Sequence, residues 1–588
     1  MFKLFSTGFW DSIARLILRN RIVILILIGL CTCLMASQWG KMKFTYTEAN
    51  LLPDDHPTNL HYEEFLKIFG EEGNLIVIGV KDNNLFSFKN MNSWNNLSKS
   101  FEDNKNVENV ITIQDLKKLK KDKKNKRFDF EPLLKDSIES NSELIKLKNS
   151  LKTDFPVYDN ILFNSDGESI RTAIFLKKSI VNTSKRKSFI YEDLIQKIEE
   201  FEKASKIDVH ISGMPYVRTL NSQNIIDEIE IFIIAAILIT SLIFFFFFRS
   251  YRATFISMLV VIIGVMWTFG ILGFLEYEIT VLTALIPPLI IVIGIPNCIF
   301  LINKYQHEVN KHGNKAKSLQ RVITKVGNAT LMTNTTTASG FATFIITQSK
   351  LLTEFGTVAS LSIMAIFILC LLIIPIIYSY MPIPSDKHLE HLNKRWINKL
   401  GDWIEATVKE KNIGIYIVSV GLLVISIIGI YQIKTSGSLL EDMPKNADFY
   451  KDIEFYEREF DGVMPLEILI NTKRVKGVLK RSTLKKMNAI EELIIEIPEL
   501  SKPISIVSLV KYTKQAFYNG NPKYYQLPTA QENGFILSYA KNTSNNLSLI
   551  KNYVDSTGQY ARITTFIKNS GIDQMDLIEK ALNNEIKK

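Results

Sequence analysis

Uncharged apolar stretches long enough to cross a bilayer recur along this chain, and they constrain its fold more than any other feature. At about 1.5 Å per residue, roughly 20 apolar residues of helix cross a hydrocarbon core of about 30 Å. Seven segments qualify: 22–38, 231–248, 255–275, 279–302, 326–346, 355–380 and 413–431, of which 326–346 is the least apolar. The chain is 47% hydrophobic yet 22% charged, so membrane-embedded and aqueous parts must alternate.

Cationic loops resist translocation, and their distribution orients the chain. Arg15, Arg19 and Arg21 precede the first segment, and Arg249 and Arg252 separate the second from the third. Lys304, Lys311, Lys315, Lys317, Arg321 and Lys325 join the fourth to the fifth, whereas the alternate connections hold Glu276 with Glu278 and Lys350 with Glu354. The expected product is a multi-pass inner-membrane protein with a cytoplasmic N-terminus. Its expected parts are a cytoplasmic amphipathic helix (1–21), a first span (22–40), a periplasmic domain (41–228) and a block of five spans (229–380). A cytoplasmic linker with a second amphipathic helix (381–412), a seventh span (413–431) and a second, incomplete periplasmic domain (432–588) follow. The amphipathic stretches carry Phe5, Phe9, Ile13 and Leu16 in one case and Leu389, Leu392, Trp396, Leu400 and Trp403 in the other, a pattern suited to lying along the interface. The net charge of +10 gathers largely in the cytoplasmic loops, so it does not argue for a nucleic-acid partner. Cys31, Cys33, Cys298 and Cys370 all fall within spans, which leaves the exported domains without a disulfide.

The chain also repeats itself. Adding 391 carries Asp11 and Ile13 onto Asp402 and Ile404, Lys43 onto Lys434, and Phe69 onto Phe460. The segment SIRTAIFLK at 169–177 falls on YARITTFIK at 560–568, matching Arg171 with Arg562, Phe175 with Phe566 and Lys177 with Lys568. With a small shift, NLLPD at 50–54 falls on SLLED at 438–442. Each half then reads as one span, an exported domain and five further spans, a parallel repeat. The second copy stops after the helix at 575–586, and by the repeat a complete chain would reach roughly 780 residues. Strands are expected at 75–80, 170–176 and 209–212 and helices at 86–101 and 191–204. This alternation suggests ferredoxin-like βαβ units. The basic run 117–127 reads as a solvated helix or loop, and the run Phe244 to Phe248 as facing lipid. The expected fold class is a polytopic α-helical membrane protein with α+β exported domains and an internal duplication.

No phosphate-cradling loop, metal-spaced cluster or nucleophile with a base is present, so neither an enzyme nor a cofactor is expected. His56, His61 and His210 read as surface or packing residues. The chemistry that stands out lies in the fourth and fifth spans. Pro296 removes the hydrogen bond to the carbonyl of Val292, and Asn297 and Cys298 place polar atoms beside the break, following Gly294. Asn334, Thr335 and Thr336 on the fifth span are candidates to face it. Such a break can hold an ion or substrate group; equally, proline kinks and small hydroxylated residues serve helix packing alone.

The architecture, with GIPNCIFLINKY at 294–305 and the Thr-rich GNATLMTNTTTASGF at 327–341, resembles the MMPL-type branch of the RND superfamily. That resemblance covers essentially the whole chain. It implies an exporter of lipids or other hydrophobic molecules, driven by the proton gradient through carboxylates in the fourth and tenth spans. Where related proteins carry Gly-X-Asp followed by an aromatic residue or a second Asp, this chain has Gly294, Ile295, Pro296 and Asn297. The seven segments contain no Asp, Glu, His, Lys or Arg, and an intramembrane acid is the usual proton carrier. Membrane lipids or hydrophobic small molecules are the expected partners, and a homo-oligomer or periplasmic partner proteins are compatible with the scaffold. Two other readings are a non-transporting lipid receptor or envelope-assembly factor and an accessory to protein export, since a fold does not fix a function.

Overall fold

The computed structural model describes residues 7–44, 55–70, 73–132, 157–164, 166–383, 395–433, 448–462, 464–542 and 552–587, with isolated positions at 52 and between 138 and 151. Phe5, Leu389, Leu392 and most of the segments 50–54 and 438–442 lie outside the described residues. The chain divides into two compact units, Met1–Asn59 with Ser222–Ile433, and Leu60–Asn221 with Lys434–Lys588.

The first unit is helical. Its helices are α1 (Thr7–Arg19), α2 (Arg21–Ser37), α3 (Met214–Phe248), α4 (Tyr251–Phe274), α5 (Ile286–His312), α6 (Lys315–Ala342), α7 (Lys350–Tyr380), α8 (Arg395–Glu410) and α9 (Asn412–Gln432). Among the described residues, six of the seven expected spans, as α2, α3, α4, α5, α7 and α9, are long and apolar enough to cross a membrane. The exception is α6. Its Thr, Asn, Gly and Ser residues dilute its hydropathy, and hydroxyls such as Thr330 Oγ1 bond back to the backbone of the preceding turn (2.9 Å to Val326 O).

Small residues let these helices approach closely, as they do where packing rather than water drives association. A side chain at Gly270 or Gly273 of α4 would strike Met35 or the backbone of Gln38, so α2 lies directly on α4. Trp267 Nε1 donates to Thr32 Oγ1 at 2.9 Å across the same contact. The amphipathic α1 buries Trp10, Ala14 and Ile17, with the Trp10 ring filling the space beside Gly327 of α6, while Leu16 stays exposed. In α8, by contrast, Trp403, Ile404 and Val408 are exposed, an apolar stripe suited to a membrane interface. Phe244 and Phe248 of α3 are fully buried and stacked 5.8 Å apart, whereas Phe246 and Phe247 are exposed. The phenylalanine run therefore does not face one environment, because successive helical residues point about 100° apart.

The described strands of the second unit form two larger antiparallel sheets and a hairpin. Strands β1 (Leu75–Lys81), β2 (Val107–Ile111), β5 (Ser169–Leu176) and β6 (His210–Ser212) form the first in the order β2-β5-β1-β6. Helices Phe88–Ser100 and Ile195–Ser205 connect them and bury Trp94 and Phe201 edge to face. The second sheet is β8-β9-β7, from β7 (Met464–Asn471), β8 (Ile504–Ser505) and β9 (Tyr560–Ile567), with helices Arg481–Glu496 and Ile572–Ile586. The basic run forms a hairpin, β3 (Lys117–Asp122) and β4 (Arg127–Pro132), rather than a helix or loop. The two-residue period of a strand puts Leu119 and Phe128 in a small core with Val157, Tyr512 and Ala516, and Lys121 Nζ sits 3.3 Å from the Phe517 ring centroid.

Helix Asp448–Phe460 precedes the second sheet in the chain but packs on the first. Phe449, Ile453, Phe455, Tyr456 and Phe460 join the core of Ile76, Ile78 and Val80. Gly79 permits this, since any side chain there would meet Tyr456 Oη and Phe455. Tyr456 Oη donates to His210 O (3.0 Å), and Asp452 Oδ1 lies 2.9 Å from His210 Nδ1. Glu459 is the polar anchor. Its nearly buried carboxylate accepts from Lys81 Nζ (2.8 Å), Ser169 Oγ (2.9 Å) and Arg458 Nε (3.0 Å). Burial works against this carboxylate, but those donors outweigh it and hold its pKa below the ordinary value.

A carboxylate with a lowered folded pKa stabilises the fold fully above its unfolded pKa and loses that contribution as pH falls through the folded value. Glu459→Gln is expected to cost about 1–3 kcal/mol at neutral pH. Hydrogen–deuterium exchange over 448–460 should accelerate in the variant at pH 7, and the gap from wild type should narrow in acid.

Candidate functional site

Two places combine polar chemistry with apolar surroundings, one in each unit. In the first unit, α5 opens with prolines in its first turn and continues unbroken through Pro296. Proline has no N–H to give, so the Val292 carbonyl one turn earlier loses its helical partner. Gly294 brings α5 close to Val261 of α4 and Ile366 of α7. One residue beyond the proline, Asn297 meets Asn334 of α6, both nearly fully buried. The two amides form a reciprocal pair: Asn297 Nδ2 donates to Asn334 Oδ1 at 3.0 Å and Asn334 Nδ2 to Asn297 Oδ1 at 2.9 Å. Each also reaches back one turn, Asn297 to Ile293 O (3.4 Å) and Asn334 to Thr330 O (2.7 Å). All four amide N–H groups are thus used. Cys298 points the other way, its Sγ 3.6 Å from Cys370 Sγ on α7, both thiols buried.

The structure therefore joins Asn297 to Asn334 beside Pro296, whereas Gly294 faces α4 and α7 and Cys298 faces Cys370 of α7. Thr335 and Thr336 do not join them; they are exposed, and the Thr336 hydroxyl bonds to Met332 O and Thr333 O of its own helix. They lie about 100° and 200° around α6 from Asn334. Chemically the pair is neutral across the physiological pH range and carries no exchangeable charge. A groove of about 480 Å³ in the same unit is lined by Trp39, Met42, Ile229, Ile233, Phe269 and Leu272, with Glu230 the acid among the described lining residues.

The second unit contains a feature not anticipated from the sequence. A cavity of about 250 Å³ is walled by alternate residues of two strands, Arg171, Ala173 and Phe175 of β5 and Arg562, Thr564 and Phe566 of β9, with Leu75, Val77 and Tyr456. Alternate strand residues share a face, and these two triplets are 391 positions apart. A smaller cavity of about 140 Å³, between Leu119 and Phe130 of the hairpin and Leu484, Ile506 and Ile536, shares Val157, Tyr158 and Leu509 as wall.

Arg171 is set into this apolar wall with 6% of its surface exposed. Its guanidinium donates to the backbone carbonyls of Ile161 and Asn160 and stacks on Phe460 at 4.4 Å. Burial pulls its pKa down to about 10, so it remains cationic at neutral pH. The matching contact is Arg562 over Phe69 at 5.5 Å. Each arginine thus lies over the phenylalanine of the helix that precedes the other sheet. The register of Arg171 with Arg562 was the available sequence signal for this site.

Replacing both asparagines by leucine should cost less than the sum of the single changes, because each single change strands a buried amide. A coupling of about 0.6–1.7 kcal/mol, the range for hydrogen bonds between membrane helices, is expected from a double-mutant cycle of unfolding in bilayer-like micelles.

Comparison with known proteins places these features in a family. The model of the MMPL family matches residues 82–404. A protein of Methanocaldococcus jannaschii described as a membrane protein is 26% identical over 235 residues, which are 40% of this chain and 59% of that relative. The chain thus spans somewhat over half the length of that curated relative. With the family match extending over more than half of its residues, the chain belongs to the MMPL family.

Proposed function

We propose that this protein exports lipids or other amphiphiles across the inner membrane, driven by an ion gradient. In this reading its two α+β domains are duplicated, ferredoxin-like and periplasmic, with the N-terminus in the cytoplasm. The observation that carries the reading is the pair of wall-sharing cavities in the second unit, apolar except for a few convergent polar groups, as ligand sites are. The groove beside Trp39 and Phe269 supports it as a place for an apolar chain at the membrane unit. The strand order of the three shared positions, identical in the two sheets, supports the duplication.

Asn297 and Asn334 specifically favour a second reading. A neutral, fully bonded amide pair stands where a titrating acid would drive transport, which suits a lipid receptor or envelope-assembly factor that does not transport. The two readings separate in proteoliposomes holding the full chain and a pyrene-labelled phospholipid or fatty acid, with acceptor vesicles outside. Transfer that rises with an imposed proton or sodium gradient supports the exporter. Binding without gradient-dependent transfer supports the receptor, and absence of any binding sinks both.

Leu509→Trp should fill the shared wall of the two cavities and stop both binding and transfer. The variant is expected to fold, because its added volume enters empty space rather than a packed core; circular dichroism melting in the same detergent checks this.

A further inference from the structure

We propose that the larger cavity selects an amphiphile with an anionic head, carboxylate or phosphate, seated on Arg171, with a single apolar chain running past Val157, Tyr158 and Leu509 into the smaller cavity. This inference rests on the reading of these cavities as the amphiphile site.

Arg171 is the reason. Burying a cation is costly unless it is paired, and among the described residues no carboxylate pairs with it. Its neighbours are two backbone carbonyls and the face of Phe460, which offer partial charges only. Among the described residues no Asp or Glu lines either cavity, and the charged ones in the walls are Arg171, Arg562 and Lys117, all cationic. Glu467, the acid beside β9, accepts from the Thr564 hydroxyl at 2.7 Å and lies outside the wall. Lys117 is exposed, so its ammonium is solvated. An anion entering the larger cavity therefore meets the desolvated guanidinium without a competing acid, and a guanidinium fork matches carboxylate and phosphate geometry. A cationic head would meet only like charge. The chain's path follows from the shared wall, since Val157 and Leu509 open onto both cavities. Volumes of about 250 and 140 Å³ suit one chain better than two, given pockets of roughly 300–1,000 Å³ for ordinary small ligands.

The test measures binding of dodecanoate, dodecyl phosphate and dodecanol to the full chain in neutral-lipid nanodiscs, by competition with a fluorescent fatty acid. Expected is a preference of roughly 10- to 100-fold for one or both anions over dodecanol, and the tighter of the two names the head group. Arg171→Gln should erase that preference while dodecanol binds as before. Arg171→Lys, which keeps the charge and loses the fork, should retain a reduced preference and serves if the glutamine variant fails to fold. Equal binding of anions and dodecanol, or a preference that survives in Arg171→Gln, overturns the inference while leaving the amphiphile cavity standing. Failure of all three probes to bind overturns the cavity reading as well.

Discussion

Hydrocarbon offers no hydrogen-bond partner, so every polar group carried into the bilayer must be satisfied by the protein itself. Much of the first unit answers that demand, although Ser257, Asn328 and Ser362 each keep a buried oxygen without a partner among the described residues. Its least apolar helix, α6, turns its hydroxyls back onto its own carbonyls and commits its one fully buried amide, Asn334, to Asn297. Where α6 becomes charged, Arg321 and Lys325 close on Glu308 of α5 at 3.4 and 3.0 Å. Polar bonds thus join α5 to α6 at two levels, the amide pair lying one turn from the point where Gly294 admits Ile366 of α7 and the Glu308 pairs toward the helix end. Helix α9 shows the opposite solution: its apolar side chains are exposed and it carries no acid or base, which suits contact with lipid.

The second unit depends on an exchange. Helix Asp448–Phe460 completes the core of the first sheet, and Phe65 and Phe69 of helix Pro57–Phe69 lie beneath Arg562 of the second. The first sheet's core is completed by the later segment's helix, the second sheet meets the earlier helix through Arg562, and the matching strand faces wall the cavity. The arginines belong to this geometry. A guanidinium stacked on an aromatic face spends no N–H there, so Arg171, with Nε and Nη2 given to Ile161 O and Asn160 O, still stands in the cavity wall.

Much of this was legible in the sequence wherever a period was long or strongly apolar. All six spans were plain in hydropathy, and the alternation at 75–80 and 170–176 matches β1 and β5. Legibility failed where one residue type served two environments. The lysines at 117–127 hid a hairpin, because Lys121 contributes its stem and charge to Phe517 rather than to water. Phe244 and Phe248 are core while Phe246 is exposed, a distinction that composition cannot make. At the candidate membrane site, Asn297 and Asn334 were recognisable as polar atoms beside a proline break, but Thr335 and Thr336 fall on the wrong side of α6. Cys370 has no sequence neighbour that announces Cys298. The cavity was hidden for a different reason: a repeat aligns Arg171 with Arg562, but only the helix exchange brings both into one wall.

The neutral amide pair also limits how the membrane unit can respond to an ion. A buried acid changes charge on protonation, and moving a charged Asp to the centre of a membrane helix costs about 2.5–3.5 kcal/mol or more, enough to shift a two-state equilibrium by a factor of a hundred or so. Asn297 and Asn334 exchange only hydrogen-bond partners, an effect averaging about 0.6 kcal/mol between membrane helices. A rearrangement of α5 against α6 can therefore be permitted by this pair but not driven by protonating it. For the proposed ion-driven export, the driving free energy would enter through a group that changes charge, or through a cation that takes the amide oxygens and breaks the reciprocal pair. The second route would require both asparagines to release each other and turn their oxygens toward the ion, leaving four N–H groups to find backbone carbonyls. The Val292 carbonyl freed by Pro296 is one acceptor already without a helical partner on that stretch of α5.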